Sequence, residues 1–149
     1  MNLTDKINQE IKNAMLAREK DKLEALRAVK AALMLAKTSE GGGEVTADDE
    51  IKILQKLVKQ RRETAEIYKQ QQRNDLADAE LFQAGIIETF LPEQLDRDAI
   101  IPFIREIISS SGASGIKDMG KVMAAASQQL AGKADNKTIA GIVKELLNP

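Results

Sequence analysis

Apolar residues recur at three- and four-residue spacing along this entire chain, and no stretch alternates with the two-residue period of a strand. Only a helix gathers positions i, i+3, i+4 and i+7 on one face, so the pattern predicts an all-α protein. Ile7, Ile11 and Met15, with Ala14 beside them, mark a helix from Thr4 to about Glu19. Asp21, with Glu24 at the reciprocal position, caps a second helix carrying Leu23, Leu26, Val29, Leu33 and Ala36; Arg27 among them reads as a snorkelling or paired arginine. Thr38 to Val45 holds three consecutive glycines with no strand before them, so it is a connection and not a phosphate loop. Thr46 and Asp49 have the spacing of a capping box and open a long helix to about Gln71, with Ile51, Leu54, Leu57, Val58, Ala65 and Tyr68 as core positions. Its basic run (Lys52, Lys56, Lys59, Arg61, Arg62) is offset by Glu50, Glu63 and Glu66 and reads as a solvated face.

Asn74 caps a fourth helix bearing Ala77, Leu81, Ala84, Ile87 and Leu91. Glu80 and Glu88 on it stand eight residues apart with no second constellation to work with, so they read as solvated carboxylates. Leu91-Pro92 stops this helix, since proline disfavours helical backbone in the residue before it. The chain is thus divided into an N-terminal domain of about four helices, residues 1–95, and a small three-helix tail domain, residues 96–149. Asp96 or Asp98 caps the next helix, with Ile100, Ile101, Phe103, Ile104, Ile107 and Ile108. Asp98 is favoured because it leaves Pro102 in the first turn, where a missing N–H does no harm. Ser109 to Ala113 is read as a turn.

The segment from Ser114 to Met123 breaks two local rules at once. With Ser114 as N-cap, Lys117 places a cation in the first turn, against the helix dipole, and Gly120 puts the poorest common helix former one turn further in. Met119, Val122, Met123, Ala126 and Leu130 make the apolar stripe, leaving Lys117, Gly120, Lys121, Ala124 and Gln128 on the opposite side. The last helix repeats the arrangement: Asp135 caps it, Ile139, Ile142, Val143 and Leu146 face inward, and Lys137, Gly141 and Lys144 point away. Lys133 stands exposed on the turn between them. Such a face suits close approach by a phosphate backbone; a tolerated lysine and a glycine at a close helix crossing is the alternative the residues leave open.

Composition removes whole classes of chemistry. The chain has no cysteine and no histidine, which excludes thiolate nucleophiles, disulfides, ordinary zinc sites, histidine bases and Ser-His-Asp triads. No GxxxxGK[ST] loop is present, and no GxGxxG follows a strand. No cofactor or metal is expected, and an independent enzyme is disfavoured. No apolar run approaches the length of a membrane span and residues 1–20 lack a signal-peptide core, so a cytoplasmic location is expected. The net charge of −1 conceals an asymmetry: residues 97–149 carry seven Lys/Arg against five Asp/Glu, and the remainder fifteen against eighteen.

Leu26-Arg27, the stretch from Leu54 to Glu63, Leu91-Pro92 with Gln94-Leu95, Lys117-Asp118-Met119-Gly120-Lys121-Val122-Met123 and Val143-Lys144-Glu145-Leu146-Leu147 together resemble the YqeY family over nearly the whole chain. The C-terminal part of that family is similar to the tail domain of the GatB component of the glutamyl/aspartyl-tRNA amidotransferase. That tail is a helical module contacting the outer corner of the tRNA, while the chemistry lies in another domain without counterpart here. The resemblance implies a tRNA-contacting module without an active site of its own. A carbon–nitrogen ligase activity with glutamine as amido donor, sometimes attached to the family, is the third and least favoured reading, and would have to rely on carboxylates, lysine, tyrosine or hydroxyls. Two positions depart from the family pattern: Lys133 stands where arginine is common, replacing a fork by a point charge, and Pro102 stands where an ordinary helix former is usual.

The expected function is therefore RNA binding through Lys117, Gly120, Lys121, Lys133, Lys137, Gly141 and Lys144, with backbone amides of the helix start at Ser114 contributing. A protein–protein adaptor, docking through the Leu54–Tyr68 helix or the glycine-bearing face, is the second reading.

Overall fold

The computed structural model describes residues 2–39 and 43–148; Gly41 and Gly42 of the connection lie outside them. Among the described residues the fold is all-α: α1 (Leu3–Ala17), α2 (Lys20–Thr38), α3 (Ala47–Gln70), α4 (Asn74–Glu88), α5 (Arg97–Ser111), α6 (Met119–Gln129) and α7 (Asn136–Leu147), with a 3₁₀ turn at Ile116–Asp118 before α6. The chain divides into two compact units, Met1–Leu91 and Pro92–Pro149.

In the first unit α3 packs along α4, α2 lies against α4, and α1 packs on α2. Its core gathers Ile7, Leu26, Val29, Leu33, Leu54, Val58, Ala84 and Ile87. The Thr46 capping box forms as its spacing predicts: Asp49 N–H donates to Thr46 Oγ1 at 3.1 Å, and Thr46 N–H donates to Asp49 Oδ2 at 3.0 Å. The Thr46 backbone N–H, helped by the Thr46 side chain, holds the Asp49 carboxyl below the usual carboxylate range. A depressed pKa stabilises the fold above the unfolded value and loses that stabilisation as pH falls. Thr46→Ala is expected to cost about 1 kcal/mol in urea unfolding; the variant keeps the Thr46 N–H, so most of the stability that Asp49 loses in acid is expected to be lost by wild type and variant alike.

Other caps fall elsewhere than the sequence suggests. Asn2, not Thr4, opens α1, its side chain accepting from Asp5 N–H at 2.8 Å, and Arg18 ends it in left-handed conformation at φ 59°. Glu19 occupies the N-cap of α2 without a side-chain bond, and Asp21 sits in the first turn, where a carboxylate favours the dipole. Arg73 precedes α4, so Asn74 is its first helical residue and not its cap. The Arg73 guanidinium donates to both oxygens of Asp75 at 3.3 Å, which pulls that carboxyl down in pKa.

Met15 is 55% exposed while Ala14 is buried, because the inward arc of α1 centres on Ile7 and Ala14 and Met15 lies about 100° further round. Leu81 likewise turns outward, and Arg27 lies on the exposed side of α2. The basic run of α3 is split by role. Arg61 Nε donates to Gln83 Oε1 at 3.0 Å and Arg62 pairs with Glu88, fastening α3 to α4, while Lys52, Lys56 and Lys59 stay exposed. Glu88 is therefore a tie between helices and not a solvated carboxylate.

The second unit is a three-helix arrangement around Ile100, Ile104, Ile107, Val122, Ala126, Leu130, Ile139, Ile142, Val143 and Leu147. Asp96, not Asp98, caps α5: its side chain accepts from Ala99 N–H at 2.9 Å. Pro102 consequently lies inside the helix. It is tolerated because it and Asp98, whose carbonyl it leaves without a donor, are both exposed to water. The helix also runs on to Ser111, through residues read from sequence as a turn, and stops at Gly112 with φ 70°, a left-handed position glycine takes without strain.

Candidate functional site

The residues singled out in sequence all lie in the second unit, and the structure separates them. Ser114 does not cap α6. Its own N–H donates to Asp118 Oδ2 at 3.0 Å, and the chain enters the helix through the 3₁₀ turn. Lys117 thus belongs to that turn and Gly120 to the first turn of α6, not its middle. Asp118 stands at the helix start, so the amide donors expected at Ser114 have a carboxylate of the chain beside them.

Lys121 is already occupied. Its Nζ donates to the Ser111 carbonyl at 3.0 Å, placing a cation on the C-terminal end of α5, where the dipole and an orphan carbonyl both favour it. Lys121→Met is therefore expected to destabilise this unit by about 0.5–1 kcal/mol, whereas Lys117→Met leaves its melting temperature unchanged, both read by thermal unfolding.

Asp135 caps α7, accepting from Thr138 N–H at 2.7 Å. Lys137, Gly141 and Lys144 then fall on its exposed side, opposite the buried Ile139, Ile142 and Val143. Ser127 Oγ meets Asn136 Oδ1 at 3.2 Å and marks the outer seam between α6 and α7. Gly120, two turns before Ser127, lies on that side of α6, and Lys137, Gly141 and Lys144 lie outward of the seam on α7. A Cβ at Gly120 or Gly141 would meet nothing within 4 Å. That removes a close helix crossing as the reason for either glycine, and leaves an open surface with accessible backbone.

Lys133 is held out on the α6–α7 connection. Gly132, buried and at φ 78°, makes the turn; its carbonyl accepts from Gln94 Nε2 at 2.6 Å, and Leu95 N–H donates to the Lys133 carbonyl at 2.8 Å. Among the described residues none of Lys117, Lys133, Lys137 and Lys144 is paired with a carboxylate.

Four of the unit's seven acids are engaged within the chain. Asp96 and Asp135 cap helices, Asp118 holds Ser114, and Glu145 accepts from Arg97 at 2.6 Å. Over residues 92–149 seven Lys/Arg balance seven Asp/Glu, because Glu93 and Asp96 cancel the surplus counted from residue 97. The positive character is thus a property of one face and not of the unit. Sequence reasoning passed over Arg97. With Asp98 favoured as the cap, Arg97 falls outside the helix; only the Asp96 cap makes it a cation in the first turn, the oddity that drew attention to Lys117.

Among the described residues no helix is long and apolar enough to cross a membrane, and no group of three acidic side chains could hold a metal ion. Fold and face together define a two-unit helical protein that presents an open, lysine-bearing surface. The family model for Yqey-like proteins matches residues 4–147, and the chain belongs to that family. No curated protein matches the chain.

Proposed function

We propose that this protein is a non-catalytic RNA-binding accessory protein of the cytoplasm, its C-terminal unit holding tRNA by backbone and shape. One observation carries the reading: Gly141 leaves open space between Lys137 and Lys144 on the outer side of α7, and Gly120 leaves open space on α6. A phosphate backbone can there come close to the helix surface between the ammonium groups. The face carries no aromatic side chain on which an unstacked base could rest, which favours shape over sequence. The similarity of this region to the tail of the amidotransferase component GatB supports tRNA as the RNA. With neither histidine nor cysteine in the chain, we read it as holding RNA and not as amidating it. The test is a gel shift with bulk tRNA at low salt. Wild type is expected to bind and Lys137→Glu/Lys144→Glu to fail; no shift by wild type sinks the proposal.

An adaptor role for the N-terminal unit is favoured by a separate observation. Leu16 and Leu35 are 76% and 70% exposed, with Met15 and Met34 beside them in sequence and also exposed. The two pairs stand at opposite ends of the α1–α2 hairpin, so each is a separate small apolar spot for a partner and the two do not make one patch. Co-purifying proteins that survive nuclease treatment and are lost with Leu16→Ser or Leu35→Ser would support it, and retention by both variants would count against it.

A further inference from the structure

Arg97 is the first residue of α5, where a cation works against the helix dipole. Its side chain reaches across to α7, and Nη2 donates to Glu145 Oε2 at 2.6 Å. Both side chains remain about half exposed, at 51% and 58%. A pair this wet contributes little to stability, so fastening α5 to α7 is a weak reason for it. Glu145 follows Lys144 directly and stands one turn beyond Gly141 on the exposed side of α7. Helical spacing sets it half a turn around α7 from Asn136, and hence from the seam with α6. The pair therefore places a planar, permanently charged donor fork at the far border of the glycine-bearing face.

A guanidinium binds carboxylate and phosphate in the same forked manner. Glu145 thus occupies Arg97 with the group that most resembles a phosphate. Resting on the RNA reading above, we propose that Arg97 is a further phosphate-binding arm of this face, held by Glu145 in the free protein and passed to a backbone phosphate when RNA docks. Glu145 is then an internal competitor: it keeps the fork oriented and weakens binding of anything that cannot displace it. Its loss leaves Arg97 free and the face more basic.

A double-variant cycle with bulk tRNA, measured at several salt concentrations, separates this from plain charge. Arg97→Gln is expected to weaken binding about fivefold and to make the slope of log affinity against log salt shallower by about 0.7–0.9, the loss of one phosphate contact. Glu145→Gln is expected to tighten binding about three- to fivefold when Arg97 is present and less than about twofold in the Arg97→Gln background. Arg97→Lys keeps the charge but not the fork, so it is expected to restore the slope without the full affinity. An unchanged slope in Arg97→Gln, or equal tightening by Glu145→Gln in both backgrounds, overturns the arm and leaves the RNA reading standing. No binding by wild type at low salt overturns both. Melting temperatures of the single variants close to wild type are expected, since the pair is solvated; a large drop would assign Arg97 to structure and overturn the proposal.

Discussion

Ile104→Ala is expected to unfold the C-terminal unit under conditions where the N-terminal unit stays folded. Ile104 is 0% exposed and lies at the centre of a core that shares no residue with the core of the first unit. Removing its branched side chain forfeits transfer energy and leaves a cavity, together costing about 2–5 kcal/mol. A unit of this size has a total stability of only about 3–9 kcal/mol, so the change consumes a large share of it. Calorimetry is expected to show two transitions in wild type, with one moved down sharply in the variant and the other unmoved. A single transition shifting as a whole would show that the two cores unfold together. Native-state hydrogen exchange would localise the effect: amides of α5, α6 and α7 lose protection and those of α2 and α3 keep it.

Lys137→Glu/Lys144→Glu is expected to weaken tRNA binding about a hundredfold at low salt. Each reversal removes one phosphate contact and adds a repelling charge beside Gly141. The salt slope is expected to fall by about 1.5–2, two contacts' worth of released counterions. Both side chains are exposed and neither pairs with a carboxylate among the described residues, so the fold is expected to be unaffected. Lys121→Glu makes the informative contrast. Its ammonium is already bound to the Ser111 carbonyl, so the variant is expected to lose stability more than affinity. A double reversal that binds as wild type would remove tRNA from consideration for this face, whatever Lys121 does.

Helix faces were legible in the sequence because burial follows the 3.6-residue period closely. Leu26, Val29, Leu54, Val58, Ile104 and Ile142 all point inward as their spacing requires. The capping box at Thr46 was legible for a different reason: its two side chains bond only to each other's backbone, so nothing distant intervenes. The Asp135 cap of α7 was legible in the same way; the starts of α1, α2, α4, α5 and α6 were not. Ser114 looks like a cap until Asp118 takes its amide, and Asp98 looks better than Asp96 until water is seen to reach Pro102. The first turns on which of two local bonds forms, the second on which atoms the fold leaves in water, and a linear pattern decides neither. The lysines show the same boundary. Lys121 and Lys137 are equivalent on a helical wheel, yet one caps a neighbouring helix and the other is free. Arg97 was hidden by separation, since its partner lies forty-eight residues away.

Gln94 and Leu95 reach the α6–α7 connection through Gly132 and Lys133. Part of the hold on the outward loop thus comes from the two residues that precede the Asp96 cap. Were this helical unit to move between proteins as an exchangeable piece, its portable border would lie at Pro92. A copy trimmed to its first helix would carry every lysine of the face and yet lose the strap that presents one of them.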